Sequence, residues 1–403
     1  MVWHILHTFD ILLWLLLAAS TLYILFFALV SILWKKRIDD FTQFLTGQKL
    51  AMREKEYFTY LVLYPAYNED RVIVPSVRTF LGQYYPYNAF HVAVISDHMQ
   101  PETNQALSEL PITLLQPVFE KSSKAKAMQY AMSQIKEEYD YVIIMDADNV
   151  VNSDFLQKLN ESCAHGYKAI QCHRCAKNSN NDVAVLDGVS EEINNTIFRK
   201  AHNRIGLSSA LIGSGMCFDF KLFKENIYKL SSVGEDKELE AHLLLQKVFI
   251  KYEPDIHVFD EKVSNKDNFQ KQRLRWMTAQ IQSLFMQLPY LPYAIKTGNW
   301  DYINKTIQQA LIPRSMLVVG AFVWSIIMTA FSLSFSLSWY IKWWCLFLAI
   351  CISLYLAIPK QLRSHTVFGK ILSVPVLVWK MVANIPKISR KSTDFIHTTH
   401  DKN

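Results

Sequence analysis

The hydrophobic pattern divides the chain into apolar runs near its two ends and a mixed region between them. The apolar runs cover Ile11–Trp34, Met316–Phe335 and Trp339–Ile358. Each is close to the length of about 20 residues that a membrane-spanning helix needs. We therefore predict one transmembrane helix with its flank in residues 1–37 and two more in residues 316–358.

The charges beside the first apolar run predict its orientation. No Lys or Arg precedes this run, and Lys35, Lys36 and Arg37 follow it directly. Because cytoplasmic flanks carry the excess of Lys and Arg, the chain after Arg37 is predicted to lie in the cytoplasm. We expect an integral protein of the plasma (inner) membrane whose central region is cytoplasmic.

A further apolar stretch, residues 367–386, has two interpretations. Lys370, Pro375 and Lys380 interrupt it. A buried Lys is costly at the membrane centre, whereas a helix lying on the membrane surface lets Lys reach water. We favour an interfacial helix over a fourth span, followed by a cytoplasmic tail at residues 387–403.

The central region, residues 57–284, alternates short β-rich runs with helical ones. Ser122–Tyr139 has the pattern of a helix, and strands are predicted at Tyr60–Tyr64, His91–Ser96, Ile112–Leu115 and Tyr141–Met145. Alternation of strands and helices is typical of the α/β class, with a largely parallel sheet covered by helices on both faces. Ligands bind such sheets beyond the carboxyl ends of the strands.

Composition and charge exclude some classes of function. Apolar residues make up 51% of the chain, which fits membrane segments joined to one soluble domain. The net charge is +6, but Lys and Arg are dispersed or flank the apolar runs rather than forming the stripe of a nucleic-acid binder. Cys172 and Cys175 lack a second Cys/His pair at zinc-site spacing, so we predict reduced thiols there.

Polar residues follow three of the predicted strands directly. Tyr67, Asn68 and Glu69 follow the first, Asp97 follows the second, and Asp146-Ala147-Asp148 follows the fourth. Residues two apart on extended chain face the same way, so Asp146 and Asp148 can address one divalent cation. Mg²⁺ and Mn²⁺ prefer such oxygen ligands and share them with substrate phosphates.

Glu235 and Asp236 precede a segment with helical apolar spacing, Lys237–Val248. Acidic residues in a first helical turn complement the helix dipole, which is the structural interpretation. The functional interpretation is a general base, because transfer to a hydroxyl needs a group that takes its proton.

Three further motifs carry candidate binding chemistry. Lys124 lies near a predicted helix start, where phosphate binds readily. Gly213-Ser214-Gly215 permits close backbone approach or forms a turn. In the segment Gln272–Trp276, the arginines can bind phosphate through a planar fork and the tryptophan can stack on a sugar; the alternative is an interfacial anchor.

In these motifs the sequence resembles the family-2 inverting glycosyltransferases, in the membrane branch of cellulose, chitin and hyaluronan synthases. The resemblance runs from Tyr60 to Trp276, and the Gln-x-x-Arg-Trp signature formed by Gln272, Arg275 and Trp276 is its most specific element. It implies a Rossmann-like catalytic domain of the GT-A type flanked by transmembrane helices. It also implies a UDP-sugar donor, Mg²⁺ or Mn²⁺, and inversion at the anomeric carbon.

The resemblance assigns a role to each motif. Asp146 and Asp148 look like the metal motif, Asp236 looks like the catalytic base, and Glu235 is its acidic neighbour. The donor-binding positions it implies are Tyr67, Asn68, Glu69, Asp97, Lys124 and Asp146. The acceptor or product positions are Gly213, Ser214, Gly215, Gln272, Arg273, Arg275 and Trp276.

Three hypotheses about function follow. The first is transfer to a saccharide, including processive polysaccharide synthesis; the small membrane portion would then require partner proteins for export. The second is transfer to a polyprenyl phosphate or another lipid-linked acceptor. The third, a non-enzymatic membrane scaffold or transporter, is disfavoured because transporters usually have more spans, with polar residues inside them.

Overall fold

A computed structural model describes residues 2–34, 52–179, 181–232, 234–263, 266–331 and 337–363. The predicted basic flank at residues 35–37, the interfacial helix at 367–386 and the tail at 387–403 lie outside the described residues. In the described part, an eight-stranded sheet has the order β3-β2-β1-β4-β7-β6-β8-β5. The strands are β1 (Tyr60–Tyr67), β2 (Phe90–Asp97), β3 (Thr113–Leu115), β4 (Tyr141–Ile144), β5 (Val150–Val151), β6 (Ala169–Ala176), β7 (Met216–Asp219) and β8 (Ile250–Asp260).

Helices cover both faces of the sheet and continue into the apolar segments. The helices before β7 are α1 (Val2–Leu33), α2 (Ile73–Leu81), α3 (Pro101–Ser108), α4 (Lys124–Gln134), α5 (Phe155–Ala164) and α6 (Asp182–Asn194). A π-helical segment (Asn195–Ala201) and a last turn (His202–Arg204) prolong α6. The later helices are α7 (Phe220–Ile227), α8 (Glu235–Leu245), α9 (Lys266–Gln287), α10 (Leu291–Lys296), α11 (Trp300–Ala310), α12 (Arg314–Ala330) and α13 (Leu337–Ala357).

The sheet is mixed rather than largely parallel. Strands β3, β2, β1 and β4 pair in parallel as predicted, and β6 and β8 are also parallel. However, β7 runs antiparallel between β4 and β6, and β5 runs antiparallel to β8. The predicted strands are present, and the predicted helix Ser122–Tyr139 is shorter, ending at Gln134.

The apolar run of β1 is explained by burial on both faces. Tyr60, Val62 and Tyr64 belong to a core with α2 and α5. Leu61 and Leu63 point to the other face, into a core with α4, α7 and α8. A strand buried on both faces needs continuous rather than alternating apolar character. Packing of helices on both faces of the sheet holds the carboxyl ends of β1, β2 and β4 side by side.

The apolar helices form a third core that includes part of the sheet domain. Val189, Ile193, Ile197 and Ala201, on α6 and its extension, pack in one cluster with residues of α1, α12 and α13. By length and composition, α1 (His4–Leu33) and α13 (Trp339–Ala357) could each cross a membrane. Helices α11 and α12 together meet the same test but are bent by 51°.

The buried carboxylate of Asp10 joins α1, α12 and α13, away from the sheet domain. Asp10 on α1 is only 2% exposed. It accepts hydrogen bonds from the indole N–H of Trp343, at 2.8 Å, and of Trp324, at 3.1 Å, and it pairs with the Lys342 ammonium. Tyr23 on the same helix bonds to His202 of the sheet domain at 3.0 Å. At 1.5 Å per helical residue, Asp10 lies roughly 20 Å along α1 from the contact between Tyr23 and His202.

Candidate active site

The ends of β1 and β2 form one wall of a cleft. The backbone N–H of Asn68 donates to the Asp97 carbonyl at 3.2 Å, which ties the two strand ends together. Asn68 and His98 both have positive φ, at 54° and 58°, so the chain turns sharply after each strand. The Asp97 carboxylate is 3% exposed and accepts from His98 Nδ1 at 2.5 Å. Tyr67 and Glu69 line the cleft here, together with Asp97.

The two aspartates after β4 differ in environment. The Asp146 side chain is 35% exposed and contacts the Lys124 ammonium. Asp148 is 7% exposed, and its Oδ2 accepts the backbone N–H of Glu261 at 2.8 Å. Burial alone would raise the pKa of the Asp146 carboxyl, but Lys124 and nearby arginines hold it below its ordinary value. Asp146 is therefore a carboxylate at neutral pH.

Lys124 links the metal motif to the glycine turn. It begins α4, whose start is capped by the Ser123 hydroxyl accepting from Lys126 N at 3.2 Å. The Lys124 Nζ donates to the Gly213 carbonyl at 2.7 Å as well as to Asp146. Burial would lower the pKa of this ammonium, but Asp146 and the acidic pair at the start of α8 raise it. Lys124 therefore places a fixed positive charge between the two sides of the cleft.

Glu235 and Asp236 face the same cavity from the first turn of α8. Asp236 Oδ1 accepts from the backbone N–H of Lys237 at 2.8 Å. Asp236 Oδ2 lies 3.9 Å from the position that a Cβ would take on Gly213. Burial raises the pKa of the Glu235 carboxyl to about 7. The nearby Lys124 ammonium opposes part of this increase. Glu235 therefore keeps its proton to a higher pH than a free glutamic acid does.

Only the first residue of the glycine turn lines the cavity. Gly213 has φ of 84°, which a residue with a side chain rarely adopts. Ser214 is fully buried. Gly215, with φ of 60°, lies so close to β8 that an added Cβ would meet Val258 Cγ2 at 2.9 Å. Ser214 and Gly215 therefore support the turn from beneath, and the structure does not bring them to the cavity surface.

The Gln-x-x-Arg-Trp signature lies within α9, and its two arginines have different surroundings. Arg273 is 8% exposed, pairs with Asp187 of α6, and lies 4.2 Å from the Trp276 ring centroid. Arg275 lines the cavity and helps to lower the pKa of Asp146. Gln272 and Trp276 also line the cavity. Both arginines line the cavity, and Arg273 also joins α9 to α6.

A buried ion cluster, which the sequence patterns did not reveal, extends the cleft. Arg174 in β6 lies 4.0 Å from Asp146 Oδ2, 3.4 Å from Asp260 and 3.3 Å from Glu191. Its side chain is 10% exposed. No local sequence pattern marked Arg174, because β6 lacks the apolar period by which a strand is recognised.

The cleft continues toward the apolar helices. It has a volume of about 980 Å³, and the residues above line one end of it. The other end is lined by Ile24 of α1, Val318 of α12, and Leu354 and Ile358 at the end of α13. One cavity therefore has a charged end at the sheet and an apolar end between the long helices.

Comparison with known families agrees with this arrangement. The family model described as glycosyltransferase-like family 2 matches residues 59–279, more than half of the chain. The chain belongs to glycosyltransferase family 2. The matched segment of this family-2 glycosyltransferase contains the whole sheet and every predicted site residue.

Individual relatives are more distant. The chain is 31% identical over 142 residues to glucomannan 4-beta-mannosyltransferase 1 of Cyamopsis tetragonoloba; the match covers 32% of this chain and only 26% of that relative. A mannosyltransferase of Pyrobaculum calidifontis, solved with GDP-Man and Mn²⁺, has a TM-score of 0.50 and 15% identity, covering 84% of this chain and 99% of its own. The fold is that of a GT-A glycosyltransferase.

Proposed function

We propose that this glycosyltransferase is an integral membrane enzyme of the synthase-like branch that transfers a hexosyl group, with inversion, from a nucleotide sugar to a saccharide. The donor that the sequence resemblance implies is a UDP-sugar, and GDP-mannose, with which the Pyrobaculum calidifontis mannosyltransferase was solved, is the alternative. The observation that carries the proposal is one cavity with Asp146 and Asp148 on one wall and Glu235 and Asp236 on another.

Asp146 and Asp148 are the residues that would hold Mg²⁺ or Mn²⁺. Both have carboxyl side chains, which these ions prefer, and both line the cavity. A bound divalent cation would offset the negative charge that develops on the departing diphosphate. Lys124 and Arg275 add positive charge on the same wall, and the planar fork of Arg275 suits two phosphate oxygens.

The donor nucleoside would lie against the ends of β1 and β2. Asp97 and Tyr67 line this part of the cavity, and Glu69 follows in the same loop. Asp97 is held by His98 and by its strand, so its carboxylate is pre-positioned. Positioning of the donor in this way lowers the entropic part of the barrier.

Asp236 is our candidate for the base. In a single displacement the acceptor oxygen bonds to the anomeric carbon while the bond from that carbon to the diphosphate oxygen breaks. The hydroxyl proton passes to the Asp236 carboxylate, which lies beside Gly213 on the acceptor side. Glu235, with its pKa raised to about 7, would stay partly protonated and limit repulsion beside Asp236.

The membrane arrangement completes the proposal. Residues 57–284 form the cytoplasmic catalytic domain, α1 belongs to the segment 1–37, and the other two spans lie in residues 316–358. Packing of α6 against α1, α12 and α13 supports a fixed position of the catalytic domain on the membrane. Any long polymer would need export partner proteins.

One observation favours a second candidate acceptor, a sugar carried on a polyprenyl phosphate or another lipid. The same cavity is lined by the carboxylates and by Ile24, Leu354 and Ile358. An acceptor with a polar head and an apolar chain would match both ends of this cavity.

The test is to incubate the purified full chain with labelled UDP-sugars or GDP-mannose and Mg²⁺ or Mn²⁺, with saccharide or polyprenyl phosphate as acceptor. Transfer to a water-soluble saccharide supports the first proposal, and an organic-soluble labelled product supports the second. Asp148→Ala should abolish transfer, whereas Asp154→Asn, which alters an exposed aspartate paired with Lys158, should not. Absence of transfer from every donor would refute both.

A further inference from the structure

A cluster of metal-ligating side chains lies on two neighbouring strands, outside the lining of the catalytic cavity. His173 and Cys175 belong to β6, and His257 belongs to β8. The ligand atoms of these three residues all lie within 4.8 Å of one another. Arg174, between the first two, points into the catalytic cavity. Because side chains alternate along a strand, His173 and Cys175 face away from that cavity.

Strand pairing explains how the three residues meet. His173 lies directly opposite His257 in the parallel ladder, so both side chains share one face. The register shifts between Cys172 and His173, which brings the pair into alignment. Two residues further along, Cys175 lies opposite Phe259 on the same face. The cluster depends on residues about 80 positions apart that only the fold brings together.

The hydrogen bonding of His173 favours a metal over a simple polar contact. Its Nε2 lies 2.9 Å from Glu192 Oε1, and a carboxylate can only accept, so Nε2 carries the proton. The remaining nitrogen, Nδ1, is buried and has no hydrogen-bond partner among the described residues. In protein metal sites, a histidine that binds the metal through one ring nitrogen usually donates the N–H of the other to a carboxylate, as His173 does to Glu192.

We propose that His173, Cys175 and His257 bind a borderline-soft divalent metal, zinc first, with water in a fourth position. Two imidazoles and one thiolate are a ligand set that zinc favours, whereas Mg²⁺ and Mn²⁺ prefer oxygen. Zinc–ligand bonds of about 2.0–2.3 Å place tetrahedral ligands roughly 3.3–3.8 Å apart. Small side-chain rotations would bring the ligand atoms, which lie within 4.8 Å of one another, to these distances.

This site is distinct from the one at Asp146 and Asp148 in place and in chemistry. It also differs from the Cys-x-x-Cys pairing considered from the sequence, because Cys172 is fully buried and outside the cluster. Binding forms one metal–sulfur bond and releases the Cys175 thiol proton to solvent. The metal would tie β6 to β8 behind Arg174 and Asp260, and so stabilise that wall of the catalytic cavity.

The experiment titrates Co²⁺, then Zn²⁺, into the chelator-stripped full chain. We expect one equivalent of Co²⁺ to give a thiolate charge-transfer band that Zn²⁺ removes, and zinc to raise the unfolding temperature. Cys175→Ser and His257→Gln should each lose the band, and Glu192→Ala should weaken binding about 10–100-fold.

Three matched variants separate this site from other ligands. Cys345→Ser and His165→Gln change an exposed cysteine and an exposed histidine outside the cluster and should keep the band. Asp148→Ala should also keep it, since that residue belongs to the donor site. A wild-type chain without the band, or a Cys175→Ser chain that retains it, would overturn the proposal. The wild-type measurement tests the proposal even if a variant does not fold.

Discussion

Replacing Lys305 by methionine should destabilise the protein strongly, because it leaves the buried Glu240 carboxylate without its cationic partner. Lys305 on α11 is 4% exposed, and its Nζ lies 2.5 Å from Oε1 of Glu240, which is 1% exposed. The other oxygen, Oε2, accepts from the backbone N–H of Leu211 at 3.2 Å, just before the glycine turn. Removal of one member of a buried ion pair costs about 3–5 kcal/mol, since the remaining charge loses its partner.

The double variant Glu240→Gln with Lys305→Met tests this reasoning. Glutamine can still accept from Leu211 but carries no charge, so most of the lost stability should return. Lys158→Met, which breaks the exposed pair with Asp154, should cost less than about 1 kcal/mol. Thermal unfolding in detergent, followed by tryptophan fluorescence, compares all four proteins. If Lys305→Met unfolds no earlier than Lys158→Met, or if the double variant is no better than the single one, the stranded charge is not the cause.

Four further predictions concern the catalytic cavity. Asp148→Ala should lower both donor binding, measured by calorimetry, and turnover; full turnover in excess chelator would contradict this. Asp236→Asn should slow turnover by ~10²–10⁴ while donor binding persists, and near-normal turnover would remove the base assignment. The Glu235 pKa of about 7 exceeds its ordinary 4.5, so folded stability should fall as pH rises from 4.5 through 7. Glu235→Gln should flatten that slope in thermal unfolding at several pH values. Arg275→Lys should stay poorly active because an ammonium lacks the fork, and wild-type kinetics would refute the contact.

The first half of the sheet was predictable because its strands are buried on both faces. Continuous apolar runs such as Tyr60–Tyr64 leave little choice of element, and the structure extends this one to Tyr67. The polar residues after β1, β2 and β4 then meet because those strands are parallel neighbours. The helix predicted to reach Tyr139 ends at Gln134, since Ile135 is extended and charged residues follow it.

The second half of the sheet was harder to predict. Strand β6 carries polar side chains on both faces, with Arg174 toward the catalytic cavity and Gln171, His173 and Cys175 on the opposite face. Neither face shows the apolar period by which a strand is recognised. The antiparallel insertion of β7 depends on pairing with β4 and β6, which are distant in sequence. Local sequence patterns hold no information on which strands pair. It is this pairing that brings Arg174 into the site.

The contact between Asp10 and Lys342 acquires a further meaning when synthesis is considered. The ribosome makes α1 early and α13 late, so in the proposed membrane arrangement Asp10 would enter the bilayer before Lys342 is made. A carboxylate inside a spanning helix is unfavourable by about 2.5–3.5 kcal/mol at the helix centre, and less near an end. Among the described residues, the ammonium that pairs with Asp10 comes from α13. A chain that stops before α13 would therefore leave the Asp10 carboxylate without the ammonium that pairs with it in the finished fold.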